Sequence, residues 1–303
     1  MVNIFEVEDV NFASSPTSAS KVLDRASLLS KKLEDGNIIF FPKISFDFSD
    51  EDKQFLKKCS KHLKAKFTEI SHKSYFCKKQ KISCNRRDQF LRKSEKISEA
   101  ATLFLSKLLT CYSSSWKVGG VEFSVHHNLK ENNLLHFDFA DNISYRDYRV
   151  LDFYINYTDT CFDWQTGPVL QDALDGLDEP PYLHYPKNDK CCFSEKIKKN
   201  FVKYFGKPVS VRTSFDFYLL GIFNFLNQCR DFQKVMDRKF WRFPPNSCWL
   251  MFSDTISHIP IFNENILTLS LYIPIKALNN PENSPFRILE KIEKTKAMKA
   301  KII

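Results

Sequence analysis

The spacing of apolar residues predicts a helical first third of the chain. From Lys21 to Leu33 apolar residues recur every three or four positions, which predicts an amphipathic helix that ends at Asp35-Gly36. The apolar run from Asn37 to Pro42 predicts a short buried strand. Two further helices are predicted from Ser49 to Lys66 and from Ser94 to Cys111, each with one apolar face.

Short strands replace helices from about residue 114. Five stretches have the alternating or continuous apolar pattern of strands. They are Val121 to Val125, Leu134 to Phe139, Arg149 to Tyr157, Ser247 to Ser253 and Ile266 to Pro274. Residues 158–210 are irregular and contain several prolines, which indicates an insertion or lid with one helix from Glu195 to Tyr204. Helices are predicted again from Phe215 to Asp237 and from Ser284 to Met298.

This order of elements predicts an α+β fold. Helices come first and many short strands follow, which fits an antiparallel double-stranded β-helix, or jelly roll, with helices on its outside. We predict a single domain over residues 1–303. Its parts are a helical region at 1–113, a jelly-roll core at 114–275 that contains an insertion or lid at 158–240, and a C-terminal helix at 276–303.

The predicted strand from Leu134 to Phe139 carries the best candidate for chemistry. His136 and Asp138 are two residues apart, so on a strand they project from the same face. An imidazole and a carboxylate are two thirds of the triad that binds non-haem Fe(II). His258 is the candidate third ligand, because it follows a strand-like apolar run and a short polar turn. The pair alone is a weak motif, and a strand-end histidine beside a solvated aspartate is the alternative.

Other histidines are weaker candidates. His126 and His127 precede this strand, but adjacent residues of a strand face opposite ways, so only one of them can point inward. His184 lies near Cys191 and Cys192, a combination that imitates a zinc site but lacks a fourth ligand at the usual spacing.

Composition narrows the class of function. With only 7 Gly and no glycine-rich phosphate-binding motif, the chain does not fit the common nucleotide-binding folds. Its 45 Lys+Arg against 36 Asp+Glu give a net charge of +9, which favours an anionic partner: nucleic acid, an acidic membrane surface or an acidic substrate. Residues 71–96 are the most basic stretch, and they form either a solvated face or a contact with such a partner.

Cysteine usage and the start of the chain predict a cytoplasmic protein. The 9 Cys are scattered, odd in number and without a Cys-x-x-Cys pair, which fits reduced thiols. No signal-peptide pattern precedes them. No apolar run approaches the ~18 residues that are needed to span a bilayer.

The C-terminal third resembles a known family. The segment from Trp249 to Ala277 and the block from Asn283 to Glu290 are similar to the Kdo hydroxylases, which are Fe(II)/2-oxoglutarate-dependent oxygenases that act on 3-deoxy-D-manno-oct-2-ulosonic acid (Kdo) in lipopolysaccharide. Three earlier blocks resemble the family in the same order: Gly36 to Pro42, the strand with His136 and Asp138, and Arg149 to Asn156. The resemblance covers most of residues 34–165 and 240–292.

The resemblance implies a set of cofactors and their ligands. His136, Asp138 and His258 would bind one Fe(II), with 2-oxoglutarate in two of the remaining coordination positions and O₂ in the third. The far carboxylate of 2-oxoglutarate needs a cation. Many jelly-roll oxygenases supply an arginine about ten residues after the second histidine, but Thr268 stands there in this chain.

Three other residues are predicted to bind the cosubstrate. Arg149 matches a basic residue of the family and is the candidate cation, with an exposed ion pair at the end of a strand as its alternative role. Ser270, two residues after Thr268, is a candidate hydroxyl donor. Asn156 lies on the same predicted strand as Arg149 and also matches the family, with a structural turn bond as its alternative role.

The resemblance also implies a reaction: hydroxylation of Kdo at carbon 3 in a Kdo–lipid A precursor, which gives D-glycero-D-talo-oct-2-ulosonic acid. We expect peripheral contact with the anionic cytoplasmic face of the inner membrane and no nucleic acid. The contacts would come from the basic stretch Lys78 to Lys93 and from Lys291, Lys294, Lys296, Lys299 and Lys301. Two alternatives stay open: a 2-oxoglutarate oxygenase for another anionic substrate, and a non-catalytic jelly-roll protein that binds sugar.

Overall fold

The computed structural model describes residues 2–7, 19–62, 84–125, 134–140, 143–176, 213–261 and 265–299. Within these residues the strands are β1 (Ile4–Glu6), β2 (Ile38–Phe41), β3 (Lys117–Val125), β4 (Tyr148–Asn156), β5 (Phe162–Val169), β6 (Lys239–Phe243), β7 (Ser247–Phe252), β8 (Ile256–Pro260) and β9 (Asn265–Pro274). The helices are α1 (Ala19–Glu34), α2 (Asp50–His62), α3 (Cys84–Leu108), α4 (Thr110–Ser113), α5 (Leu170–Asp175), α6 (Ser214–Gln228), α7 (Arg230–Val235) and α8 (Pro285–Lys299).

Two sheets form the core of the fold. The major sheet has the strand order β1-β2-β7-β4-β9-β3, and the minor sheet has the order β6-β5-β8. Neighbouring strands are antiparallel apart from β1, which runs parallel to β2. Strands that are distant in sequence, such as β4 between β7 and β9, become neighbours. This is the connectivity of a double-stranded β-helix, so the predicted α+β jelly-roll fold is confirmed.

The two faces of β4 contact different parts of the molecule. Leu151 and Phe153 belong to the core between the major sheet and the helices. Tyr154 faces the other way, into the core between the two sheets. Because side chains alternate along a strand, Arg149 projects on the helix side and Asp152 on the inner side with Tyr154.

Helices α1 and α3 cover the outer face of the major sheet, where Leu33 and Leu105 are fully buried. The chain leaves α1 at Gly36, whose φ of 78° favours glycine. The Gly36 N–H donates to the Leu33 carbonyl at 3.0 Å and the Asn37 N–H to the Lys32 carbonyl at 3.1 Å, so this helix ends where the sequence predicts. Among the described helices, none combines the length and apolar character that crossing a bilayer requires.

Some predicted boundaries need correction. Strand β5 lies inside 158–240, the segment predicted to be an insertion, although Phe162 and Trp164 are buried core residues. Its partners β6 and β8 are distant in sequence, so a local pattern does not reveal the pairing. Within the region 1–113, β1 and β2 join the major sheet, and α3 begins at Cys84 rather than Ser94.

Other predicted features lie outside the described residues. They are the helix from Glu195 to Tyr204, the part of the basic stretch that precedes residue 84, and the residues His126, His127, His184, Cys191 and Cys192.

Candidate metal centre

Two predicted ligands meet across an isolated antiparallel bridge. The His136 N–H donates to the His258 carbonyl and the His258 N–H donates to the His136 carbonyl, both at 3.0 Å. The Asp138 N–H donates to the carbonyl of Ser253 at 3.1 Å. The segment 134–140 therefore lies beside β8, one of the two edge strands of the minor sheet.

The three predicted ligands converge on one point. His258 Nε2 is 3.3 Å from Asp138 Oδ2, and His136 Nε2 is 3.8 Å from Asp138 Oδ1. One ligand atom from each residue lies within 4.8 Å of the other two. Atoms that share a metal ion at bond lengths of about 2.1 Å lie about 3–4 Å apart, so the cluster fits a metal ion. Two imidazoles and one carboxylate are the donor set of non-haem Fe(II) sites.

The His258 ring is held by a hydrogen bond and by stacking. Its Nδ1 lies 2.9 Å from the Ile256 carbonyl oxygen. A carbonyl only accepts, so Nδ1 carries a proton and Nε2 is the atom that would bind a metal. The Trp164 indole stacks on the imidazole at 5.2 Å between ring centroids and 5° between planes. The His258 side chain is 3% exposed and those of His136 and Asp138 are 37% exposed, so the site opens toward solvent on the His136 side.

The charges of the cluster favour a bound cation. Burial raises the pKa of Asp138, but the neighbouring His258 and His136 outweigh burial and hold this pKa well below its usual range. Burial lowers the pKa of His258, but the nearby Asp138 carboxylate raises this pKa by a larger amount, so the net shift is upward. The carboxylate is therefore ionised, and Asp138 and His258 together would hold a divalent metal ion.

Side chains that the sequence analysis missed hold the segment 134–140 from its other side. The Gln233 amide oxygen accepts from the Leu135 N–H at 2.8 Å, and its Nε2 donates to the Leu135 carbonyl at 2.9 Å. Asn227 accepts from the Phe137 N–H at 3.2 Å, and the Phe137 ring stacks on Phe223. The available signal was two polar residues in one predicted helix, Phe215 to Asp237, and sequence alone does not show which segment such residues contact.

Ser270, a predicted cosubstrate residue, faces the interior of the jelly roll. It lies opposite Asp152 in the register of β4 and β9, and its hydroxyl donates to Asp152 Oδ1 at 2.5 Å. The Ser253 hydroxyl also hydrogen-bonds to Asp152. Burial, and then the negative charge of Asp138, raise the pKa of Asp152 to about 7. The sequence analysis missed this second carboxyl group, although an acid that interrupts the apolar run of β4 was a visible signal.

Arg149 forms a buried ion pair at the turn between β7 and β8. Its Nη2 donates to Asp254 Oδ1 at 3.0 Å and to the Thr255 hydroxyl, and its guanidinium lies 3.7 Å from the centre of the Phe252 ring. The side chains of Arg149 and Asp254 are 1% and 0% exposed. Arg149 also leaves β4 on the face opposite to Asp152. This ion pair is buried rather than exposed, and it fixes the turn between β7 and β8. Arg149 Nε and Nη1 have no hydrogen-bond partner among the described residues, and the cosubstrate role of Arg149 stays a prediction.

Asn156 is likewise engaged in structural hydrogen bonds. Its Nδ2 donates to the carbonyls of Thr160 and Pro244 at 2.9 and 3.0 Å. Its Oδ1 accepts from the N–H and the hydroxyl of Thr158 at 3.1 and 2.7 Å. These bonds use the hydrogen-bonding capacity of the amide. These bonds are those of the alternative role, a structural turn bond, and the predicted contact with the cosubstrate stays a prediction.

The fold and the donor set together define a class. A double-stranded β-helix that brings two histidines and one carboxylate together has the site of a non-haem iron oxygenase. A family model described as 3-deoxy-D-manno-oct-2-ulosonic acid (Kdo) hydroxylase matches residues 17–296. The chain therefore belongs to the Kdo hydroxylase family, and the enzyme that the sequence resemblance implies is confirmed.

Solved structures of the Kdo hydroxylase KdoO, a non-haem Fe(II) alphaketoglutarate-dependent dioxygenase, have the same fold. The KdoO complex with succinate and Fe(III) is 22% identical to this chain, with a TM-score of 0.71 and 96% of both chains covered. The complex with alphaketoglutarate and Fe(III) is 21% identical, with the same TM-score and coverage. The cobalt(II) complex is 22% identical with a TM-score of 0.72, again over 96% of both chains. A search of curated protein sequences gives no match.

Proposed function

We propose that this chain hydroxylates Kdo at carbon 3 in a Kdo–lipid A precursor, with Fe(II), 2-oxoglutarate and O₂, and gives D-glycero-D-talo-oct-2-ulosonic acid. One observation carries the proposal: His136, Asp138 and His258 place their ligand atoms within 4.8 Å of one another in a chain of the Kdo hydroxylase family. The KdoO complexes with Fe(III) and with alphaketoglutarate or succinate support the same metal and cosubstrate.

The residues of the site have distinct tasks. His136, Asp138 and His258 would bind the metal on one side and leave adjacent coordination positions open. When bound, iron and 2-oxoglutarate supply the oxidation, in which O₂ and 2-oxoglutarate are consumed, one oxygen atom enters a C–H bond of the sugar, and succinate and CO₂ are released. Trp164 holds the His258 ring in place and excludes water from its buried face.

Mass spectrometry of the lipopolysaccharide sugars is the direct test. Cells that produce the chain should contain Kdo heavier by one oxygen atom, and cells without the chain should not. A His258→Ala variant serves as the inactive control. NMR of the isolated sugar should place the new hydroxyl at carbon 3. A hydroxyl at another carbon contradicts the proposed position, and unmodified Kdo contradicts the proposed reaction.

Turnover by the purified protein separates this substrate from other anionic ones. Release of succinate from 2-oxoglutarate should rise when a Kdo–lipid A precursor is added, and much less with small acids or peptides. Equal stimulation by an unrelated acid would favour an oxygenase for another substrate.

We further propose that the enzyme works at the cytoplasmic face of the inner membrane, bound there peripherally by charge. The proposed substrate is an anionic lipid, and the net charge of +9 suits such a surface. The lysines that are predicted to contact the membrane differ in whether an acidic side chain already pairs with them. Lys93 is paired with Asp52 at 2.5 Å and with Glu51 at 3.1 Å, whereas Lys291 on α8 is exposed.

A further inference from the structure

The segment 134–140 is hydrogen-bonded along both of its edges. Successive backbone groups of an extended chain point to opposite edges, so those of His136 face β8 and pair with His258, as in a sheet. The backbone groups of Leu135 and Phe137 face the other way, toward the helices α6 and α7. There, side chains of the two helices accept from both N–H groups, at 2.8 and 3.2 Å. Helical side chains therefore take the place that a neighbouring strand has in a sheet.

Gln233 of α7 makes the shorter of these two contacts. Its Oε1 accepts from the Leu135 N–H at 2.8 Å, and its Nε2 donates to the Leu135 carbonyl at 2.9 Å. The amide has two further partners: Nε2 donates to the Leu226 carbonyl and Oε1 accepts from Arg238 Nη2, both at 3.1 Å. All donors and acceptors of the side chain are thus used, which fixes the orientation of the amide. Gln233 is 5% exposed, so little water competes for these bonds.

The same amide joins Leu135 to strand β5. Arg238, which bonds to Gln233, also donates through Nη1 to the Gln165 side chain at 3.3 Å. The Leu135 side chain lies directly against Gly167, where an added Cβ would come within 2.4 Å of Leu135 Cδ1. Movement of Leu135 away from Gln233 would break an apolar contact and leave buried polar groups without partners, which is costly. Leu135 is therefore firmly held in one position.

We propose that Gln233 is a positioning residue of the metal site: by holding Leu135, it keeps the segment 134–140 and its two candidate ligands in place beside β8. This inference rests on the proposed function only in taking the cluster of two histidines and one aspartate as a metal site. Gln233 acts on the backbone next to the ligands rather than on their side chains. A site that has the binding geometry for a smaller fraction of the time binds its ligand more weakly by that fraction. Metal affinity therefore measures how firmly Gln233 holds the segment.

Gln233→Met tests this role, because methionine is similar in length but makes none of the four hydrogen bonds of the amide. A Co(II) titration of the purified full chain, followed by the absorption of the bound ion, should show an affinity about 10-fold lower than that of the natural chain. Asn283→Leu is the matched control. The Asn283 amide also bonds to a backbone carbonyl, that of Glu34 at 2.9 Å, but at the end of α1, and Co(II) affinity should not change.

Hydrogen exchange gives a second readout that needs no metal. In the metal-free protein, the backbone N–H groups of the segment 134–140 should exchange faster in Gln233→Met than in the natural chain, because the segment leaves β8 more often. The Asn283→Leu control should leave their exchange unchanged.

Each outcome bears on the inference. Unchanged Co(II) affinity in Gln233→Met would overturn the positioning role, and so would an equal loss in Asn283→Leu, since that would reflect a general loss of stability. If Gln233→Met does not fold, Asn227→Leu gives the same test with a smaller expected loss, because it removes only the acceptor of the Phe137 N–H. Co(II) binding needs no sugar. Unmodified Kdo together with the expected loss in Gln233→Met would therefore refute the proposed function and leave this inference standing, whereas hydroxylated Kdo with no loss would refute this inference alone.

Discussion

The two candidate histidine ligands differ in how the protein holds them. His258 is almost fully buried between aromatic rings, with Trp164 stacked on one side and Tyr154 at 6.3 Å between ring centroids. The side chain of His136 is 37% exposed, although its backbone is paired with His258. Loss of the His258 side chain should therefore disturb the packing of the core more than loss of the His136 side chain.

We expect His258→Ala and His136→Ala to abolish metal binding alike but to differ in stability. Loss of the buried imidazole should lower the free energy of unfolding by about 1–3 kcal/mol, and loss of the exposed one by about 0.5 kcal/mol or less. Metal titration and denaturant unfolding of the metal-free variants measure the two effects. A fully active His258→Ala enzyme would refute the assignment of the site.

The predictable part of the site was the part encoded by local spacing. His136 and Asp138 are two apart on a strand, so their common face follows from the sequence. Arg149 and Asn156 had suitable side chains, but their partners Asp254 and Pro244 are far away in sequence. Only the folded structure shows the buried ion pair of Arg149 and the hydrogen bonds of Asn156.

The turn between β7 and β8 is the element that joins the two sheets next to the metal site. Its residues Ser253, Asp254 and Thr255 are all buried. Strand β4 holds this turn from both of its faces, with Arg149 on the outer face and Asp152 on the inner face. The Val150 N–H adds a further bond to Asp254 at 2.9 Å.

Arg149→Met should destabilise this turn, because it leaves the buried Asp254 carboxylate without its cation. Breaking a buried ion pair costs about 3–5 kcal/mol, which denaturant unfolding measures directly. Arg287→Met is the control, since its pair with Glu290 is partly exposed and should be worth about 1 kcal/mol or less.

The double variant Arg149→Met with Asp254→Asn tests the reason for the loss. Removal of both charges should recover part of the stability, because no unpaired charge remains in the interior. Should Arg149→Met instead keep its stability and raise the Michaelis constant for 2-oxoglutarate, Arg149 would be the cosubstrate anchor after all.

On the scale of the whole molecule, the net positive charge predicts salt-dependent binding to an anionic membrane surface. Binding to vesicles with anionic lipid should be strong at low salt and lost at high salt, since each Lys or Arg contributes about 1 kcal/mol within a Debye length of the surface. Lys291→Met should weaken sedimentation with the vesicles more than Lys93→Met, which removes the same charge from a side chain already paired with Asp52. Binding that persists at high salt would indicate an apolar anchor, and no binding at low salt would refute the membrane proposal.

The overall architecture was predictable because its main strands have strong local patterns. Strands β4, β7 and β9 are nearly continuous apolar runs, and α1 has a clear stripe and a glycine stop. Strand β5 was missed because its eight residues include polar side chains and because both of its partners come much later in the chain. Pairing between strands that are distant in sequence cannot be predicted from the residue pattern of either strand alone.

The bridge between His136 and His258 has a consequence for the order of assembly. The segment 134–140 carries two of the three candidate ligands, and it meets the third only after docking beside β8. Before that contact forms, only His136 and Asp138 are close together, and two ligands bind a divalent ion more weakly than three. We therefore expect tight metal binding only after the segment 134–140 has docked beside β8. A bound ion would in turn stabilise the docked segment, because it binds the folded site and not the open one.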